Sequence, residues 1–353
     1  MSARVQQRQT YLDILRVLAS FLICYNHAFG YHLFLEQEPN GSLISWINVF
    51  LSAVTSINIP LFFMISGALL LGKNETYGTI LRKRVLRIVV LLFAAVILTH
   101  FIIVPGTPVP ESVSLFLNGT NTGVYWYLFA YLGFLLILPM IRHMAQHMTQ
   151  SDMIALVVLR TLFLPGLMTL NFWLDHWGLP TMAFPGTLQI PLALTESFFY
   201  PIAGYYLAQK LPMEKIGPKQ VWLCVAVFLT GTMLATVMAY VEGYYRSFTQ
   251  NYIRMFNYTS AMSLFVVARY AMSRITLPQR LERFFAAVSS VTIGIYFLEP
   301  LAGTYLYEPF FGHVPWTDTA ITLASCAWCV VCMTVGGTTT WLLRKIPGVK
   351  KFL

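Results

Sequence analysis

The chain has 353 residues, of which 57% are hydrophobic and only 10% charged, with a formal net charge of +9. A soluble domain carries about a quarter of its residues as charged side chains, and the mean hydropathy of +0.65 agrees with membrane residence. Apolar runs of about twenty residues, each able to cross a hydrocarbon core, recur along the whole length. The expected class is all-α: a polytopic membrane helix bundle, one domain over residues 1–353.

Ten spans are expected, at 12–34, 43–71, 86–104, 125–141, 153–171, 187–209, 220–241, 253–273, 286–306 and 318–343. With the N-terminus placed inside, eighteen of the twenty-three Lys and Arg residues fall in inside segments, and Arg246 alone falls in an outside loop. That asymmetry predicts both termini on the cytoplasmic side. Arg16 interrupts the first apolar run, and no small-residue cleavage site follows it. The run is therefore read as a retained span, not a cleaved leader.

The first span, YLDILRVLASFLICYNHAFG, carries Asp13, Arg16 and His27. Eleven residues make almost three helical turns, so Arg16 and His27 share one stripe about 16 Å apart along the axis. Asp13 and Ser20 fall close to that stripe. Ionisable residues in a span are costly and mark chemistry or transport.

In the second span Pro60 predicts a bend and Ser66-Gly67 a close helix contact. Whether that bend serves packing or lines a substrate path stays open. Arg82, Lys83, Arg84 and Arg87 open the third span. Arg84 and Arg87 read either as positive-inside charge or as a fork for phosphates. Tyr125, Trp126 and Tyr127 open the fourth span as an interfacial belt or a platform for a sugar ring. His143 and His147 have no visible third ligand, and they are read as solvated side chains. The five cysteines lie inside apolar runs, which suits buried free thiols; no metal is expected.

Glu196 lies inside the sixth span and calls for a cation, Arg16 or Arg160. Glu299, in Tyr296-Phe-Leu-Glu299-Pro300, places a second acid in the ninth. No Walker, GxGxxG or GxSxG element and no internal repeat is visible.

Five landmarks in this order resemble the integral-membrane acyltransferase-3 family. They are Arg16-x10-His27, Pro60-Leu-Phe-Phe-x-x-Ser66-Gly67, Arg84-x-x-Arg87, Tyr125-Trp126-Tyr127-Leu with Leu138-Pro139, and Gly294-Ile-Tyr296. The set is most similar to the short branch without an attached extracytoplasmic domain. The resemblance implies a membrane O-acetyltransferase that moves acetyl from cytoplasmic acetyl-CoA to a hydroxyl of a cell-surface glycan or glycolipid precursor.

The resemblance further implies His27 as base, with Arg16 orienting it or steadying charge and Asp13 beside them. It implies Arg84 and Arg87, with Arg82, on the phosphates of CoA, and Glu196, Tyr125, Trp126, Tyr296 and Glu299 toward the acceptor. Many relatives read Tyr-Leu-Ile-His in a late span where this chain has Tyr296-Phe-Leu-Glu299. The expected location is the bacterial inner membrane. Membrane lipids are the other expected partner, nucleic acid is not expected, and a homo-oligomer is left open. The residues alone also fit a proton-coupled transporter or flippase of glycan precursors, which would use the same buried Arg, His and Glu.

Overall fold

The computed structural model describes residues 9–28, 41–100, 108–118, 125–185, 188, 190–246, 250–315 and 317–353. They form helices and connections, with no strand among the described residues. The main helices are α1 (Thr10–Asn26), α2 (Leu43–Thr55), α3 (Asn58–Leu70), α4 (Leu86–Leu98), α5 (Val109–Leu117), α6 (Trp126–Leu136), α7 (Leu138–His147), α8 (Gln150–Thr161), α9 (Leu167–His176), α10 (Glu196–Tyr205), α11 (Pro218–Arg246), α12 (Asn257–Arg274), α13 (Gln279–Phe311) and α14 (Asp318–Leu343).

A helix occupies part of each of the ten expected stretches, but ten crossings are not established. Five helical stretches are long and apolar enough to cross a membrane: Leu43–Leu70, Gln150–His176, Pro218–Glu242, Gln279–Phe311 and Asp318–Leu343. The pair α6 and α7, bent by 67°, makes a sixth if counted as one span. π-Helical segments at Leu81–Val85, Leu162–Gly166 and Tyr206–Lys210 interrupt the regular helix, and α1 ends at Asn26.

The second stretch is also broken, at Ser56–Ile57. The break lies three to four residues before Pro60, whose ring and missing N–H leave the Ser56 carbonyl without its helical donor, so the helix is interrupted where that proline acts. Beyond it, the expected close contact at Gly67 is present. A Cβ added to Gly67 would fall on the backbone of Pro201 in α10, and one added to Gly204 on the backbone of Met64 in α3. The two helices thus meet backbone to backbone through reciprocal glycines.

Polar residues hold one end of the bundle. The Arg142 guanidinium donates to the carbonyl of Leu70 at 3.0 and 3.2 Å and to a Glu75 carboxylate oxygen at 3.2 Å. Arg269 donates to the carbonyls of Leu207 and Leu211, and Lys210 to those of Gln146 and Met148. The core proper is aliphatic and aromatic, with Leu61, Phe63, Phe134, Phe199 and Phe265 fully enclosed.

Candidate active site at the seam of α1 and α13

Helix α13 repeats a polar or amphipathic residue every three to four positions: Ser289, Thr292, Tyr296 and Glu299. That spacing places all four on one face, and all four are buried. The face meets the stripe of α1, and the helices run parallel, because the early residues pair with each other and the late residues likewise.

At the early end, the Ser289 hydroxyl donates to Asp13 Oδ1 at 2.6 Å, and Arg16 Nη1 donates to Ser289 Oγ at 2.9 Å. Arg16 Nη1 also lies 3.9 Å from Asp13 Oδ1. The buried carboxylate is thus matched by a hydroxyl and a cation, as a charge out of water requires. Nothing in the sequence singled out Ser289. A serine in an apolar span is common, and only the fold brings it to Asp13.

At the late end, His27 caps α1, and its Nδ1 lies 2.9 Å from Glu299 Oε2. A carboxylate only accepts, so Nδ1 carries a proton, and in the neutral imidazole Nε2 then keeps its lone pair. The Glu299 side chain is 5% exposed and that of His27 25%, so the acid is enclosed while the imidazole keeps an open edge. The C-terminal carbonyls of α1 add negative potential at the ring. Glu299 therefore stands behind the histidine, a different place from the acceptor contact expected of it.

Aromatic rings back this pair. The Tyr125 hydroxyl donates to the carbonyl of Phe297 at 3.0 Å. Tyr296 packs edge-on against Tyr125 and Tyr127, with centroids 6.4 and 5.8 Å apart. Trp126 is 42% exposed and joins the group only through an edge-on contact with Tyr127, centroids 6.5 Å apart.

Other expected residues lie elsewhere. Glu196 opens α10 and feels Arg160 and Arg254, in keeping with the cation expected near it. Arg160 donates to the carbonyls of Ala193 and Leu194 and to the Tyr200 hydroxyl. Its guanidinium also lies over the rings of Phe199, Tyr200 and Tyr258. A buried arginine is tolerable there because carbonyls, a hydroxyl and ring faces replace water.

Arg84 and Arg87 do not form one fork. Arg84 lies in the π-helical Leu81–Val85 segment, where the wider turn removes the three-residue coincidence of faces. Its guanidinium grips Glu75 through two bonds of 2.6 and 3.2 Å. Arg87 instead donates to the carbonyls of Phe352 and Leu353 at 2.9 and 3.0 Å. Arg82 is exposed. Hydrogen bonding from Arg84 holds the Glu75 carboxyl below its ordinary range, with Arg142 helping. Glu75 was not legible as a site residue, since it meets Arg142 across 67 positions.

A helical membrane bundle with a His–Glu pair whose acid is buried, and with cations gathered at one end, defines a class of membrane protein with room for proton chemistry. The chain matches the model of the acyltransferase-3 family, described as an acyltransferase domain, over residues 9–334, and it belongs to that family. A search of curated proteins and a search of solved structures returned no match.

Proposed function

We propose that this protein is an O-acetyltransferase that moves acetyl from acetyl-CoA to a hydroxyl of a cell-surface glycan or glycolipid precursor. One observation carries the reading: the His27 imidazole is held through Nδ1 by the buried Glu299 while a quarter of its side chain stays exposed. Nε2 takes the proton of the acceptor hydroxyl as its oxygen attacks the thioester carbon. The tetrahedral intermediate then expels the CoA sulfur, which recovers the proton from the imidazolium. Glu299 fixes the tautomer and offsets the transient positive charge, in the manner of an acid behind a catalytic histidine.

Arg16 lies about three turns from His27, too far to orient the ring. Its proposed role is instead to steady the charge of a donor entering at the Arg84 and Arg87 end. For phosphates to be held there, Glu75 must give up Arg84, or the Phe352–Leu353 carbonyls must give up Arg87. Asp13 and Ser289 position Arg16 and do not touch reactants.

Purified protein in liposomes, given labelled acetyl-CoA and an extract of envelope glycans, tests the reading. Acetyl transfer that His27→Ala abolishes supports it. Movement of a glycan lipid between leaflets with no release of CoA would instead support a carrier.

A further inference from the structure

Helices α1, α13 and α14 also enclose an apolar groove that acetyl transfer does not use, with a cavity of about 540 Å³. Val17 and Phe21 of α1, Val291 and Ile295 of α13, and Val330 and Trp341 of α14 form much of its wall. No acidic or basic side chain lines it.

Cations crowd one end. Lys345 Nζ lies 3.6 Å from the centroid of the Trp341 ring. Arg344 Nη1 donates to the carbonyl and the hydroxyl of Ser290, each at 3.2 Å, next in sequence to the wall residue Val291. Arg283 precedes the wall residue Phe284. Glu282 shares that turn, and with Arg280 nearby the end remains positive.

We propose that this groove is a binding site for an anionic glycerophospholipid of the surrounding bilayer. One acyl chain lies between α1, α13 and α14, and the phosphate rests on Lys345 and Arg344. Burying apolar surface in hydrocarbon gives no hydrophobic gain, so close packing and head-group charge decide what stays bound. Trp341 sits between the two regions, where an indole suits the boundary of acyl chain and head group. A second copy of the chain would fill the apolar wall but leave the cations without anions, and the two-carbon acetyl group of the proposed donor is too short to fill the groove.

The test uses the full chain in phosphatidylcholine vesicles containing phosphatidylglycerol, with bromine on the acyl chains of one lipid or the other. Bromine quenches nearby tryptophan, and subtracting the Trp341→Phe signal isolates Trp341. Brominated phosphatidylglycerol is expected to quench this signal at a lower mole fraction than brominated phosphatidylcholine, by about fivefold for each cation. The variant Arg344→Gln with Lys345→Gln is expected to lose that preference.

Equal quenching by the two lipids, or a preference unchanged in the double variant, overturns the proposal. Absence of quenching at Trp341 also overturns it, because protein then covers the groove. Native mass spectrometry supplies a second readout: phosphatidylglycerol retained by the unmodified protein and released by the double variant.

Discussion

His27 and Glu299, separated by 272 positions, meet at 2.9 Å between Nδ1 and Oε2. The pair joins the end of α1 to the second half of α13, and it predicts unequal consequences for its two members. His27→Ala removes the proposed base, and a loss of about 10²- to 10⁴-fold in kcat is expected, with the protein still in the membrane. Glu299→Gln keeps the shape but weakens a charge-assisted bond of about 1.5–3 kcal/mol, so about a tenfold to hundredfold loss is expected. Steady-state release of CoA measures both, and a Glu299→Gln enzyme with unchanged kcat would remove the acid from the mechanism.

Ser289 bridges Asp13 and Arg16. Ser289→Ala leaves a buried carboxylate oxygen short of a donor, a deficit of about 1–3 kcal/mol. A lower unfolding midpoint in detergent is expected, together with a raised KM for the donor as Arg16 loses its anchor. Ser289→Thr keeps the hydroxyl and should restore part of both.

Arg87 tests the donor end. If it takes phosphate in turnover, Arg87→Lys loses the paired geometry, at about 1.5–3 kcal/mol for each charge-assisted bond lost. KM for acetyl-CoA should rise while the acceptor constant holds. Deleting Phe352 and Leu353, whose carbonyls now occupy the guanidinium, should lower the donor KM. If both variants keep the donor constant of the unmodified enzyme, Arg87 is a clasp for the chain end and nothing more.

The positions of most helices were legible in the sequence, because apolar runs of membrane length stand out from charged connections. The stripe of Asp13, Arg16 and His27 was legible too, since helical spacing alone places those side chains on one side. The partners across the seam were not. Glu299 was visible as an odd acid, yet its contact with His27 depends on how α13 lies against α1. Ser289 and Glu75 lacked even that signal. The separate partners of Arg84 and Arg87, Glu75 and the Phe352–Leu353 carbonyls, were not legible either, because both depend on how distant parts of the chain meet this helix.

The Glu75 carboxyl lies below its ordinary range, with Arg84 as the principal cause and Arg142 as the second. A depressed acid stabilises the folded chain above its unfolded pKa, near 4.5, and that contribution fades as pH falls through the lower folded value. Thermal midpoints taken from pH 7 down to about 3 should therefore drop below roughly pH 4.5. The drop should be shallower in Glu75→Gln. Parallel curves for the two proteins would show that Arg84 and Arg142 do not depend on this charge.

Gly67→Ala and Gly204→Ala each force a methyl group into a facing backbone. Overpacking of this kind costs about 1–3 kcal/mol, so each variant should melt lower. The double variant should lose less than the sum, since the first wedge already parts the helices. Full additivity would mean that the two contacts act independently.

With no side chains between them at those crossings, α3 and α10 have nothing to repack if one rolls or slides against the other. At those crossings the two helices form a single plate. Movement is left to seams closed by side chains. The α1–α13 seam, fastened at Ser289 and at Glu299, is such a joint, and one of its fastenings, His27–Glu299, is also the proposed catalytic pair. Gating and chemistry would then share that bond.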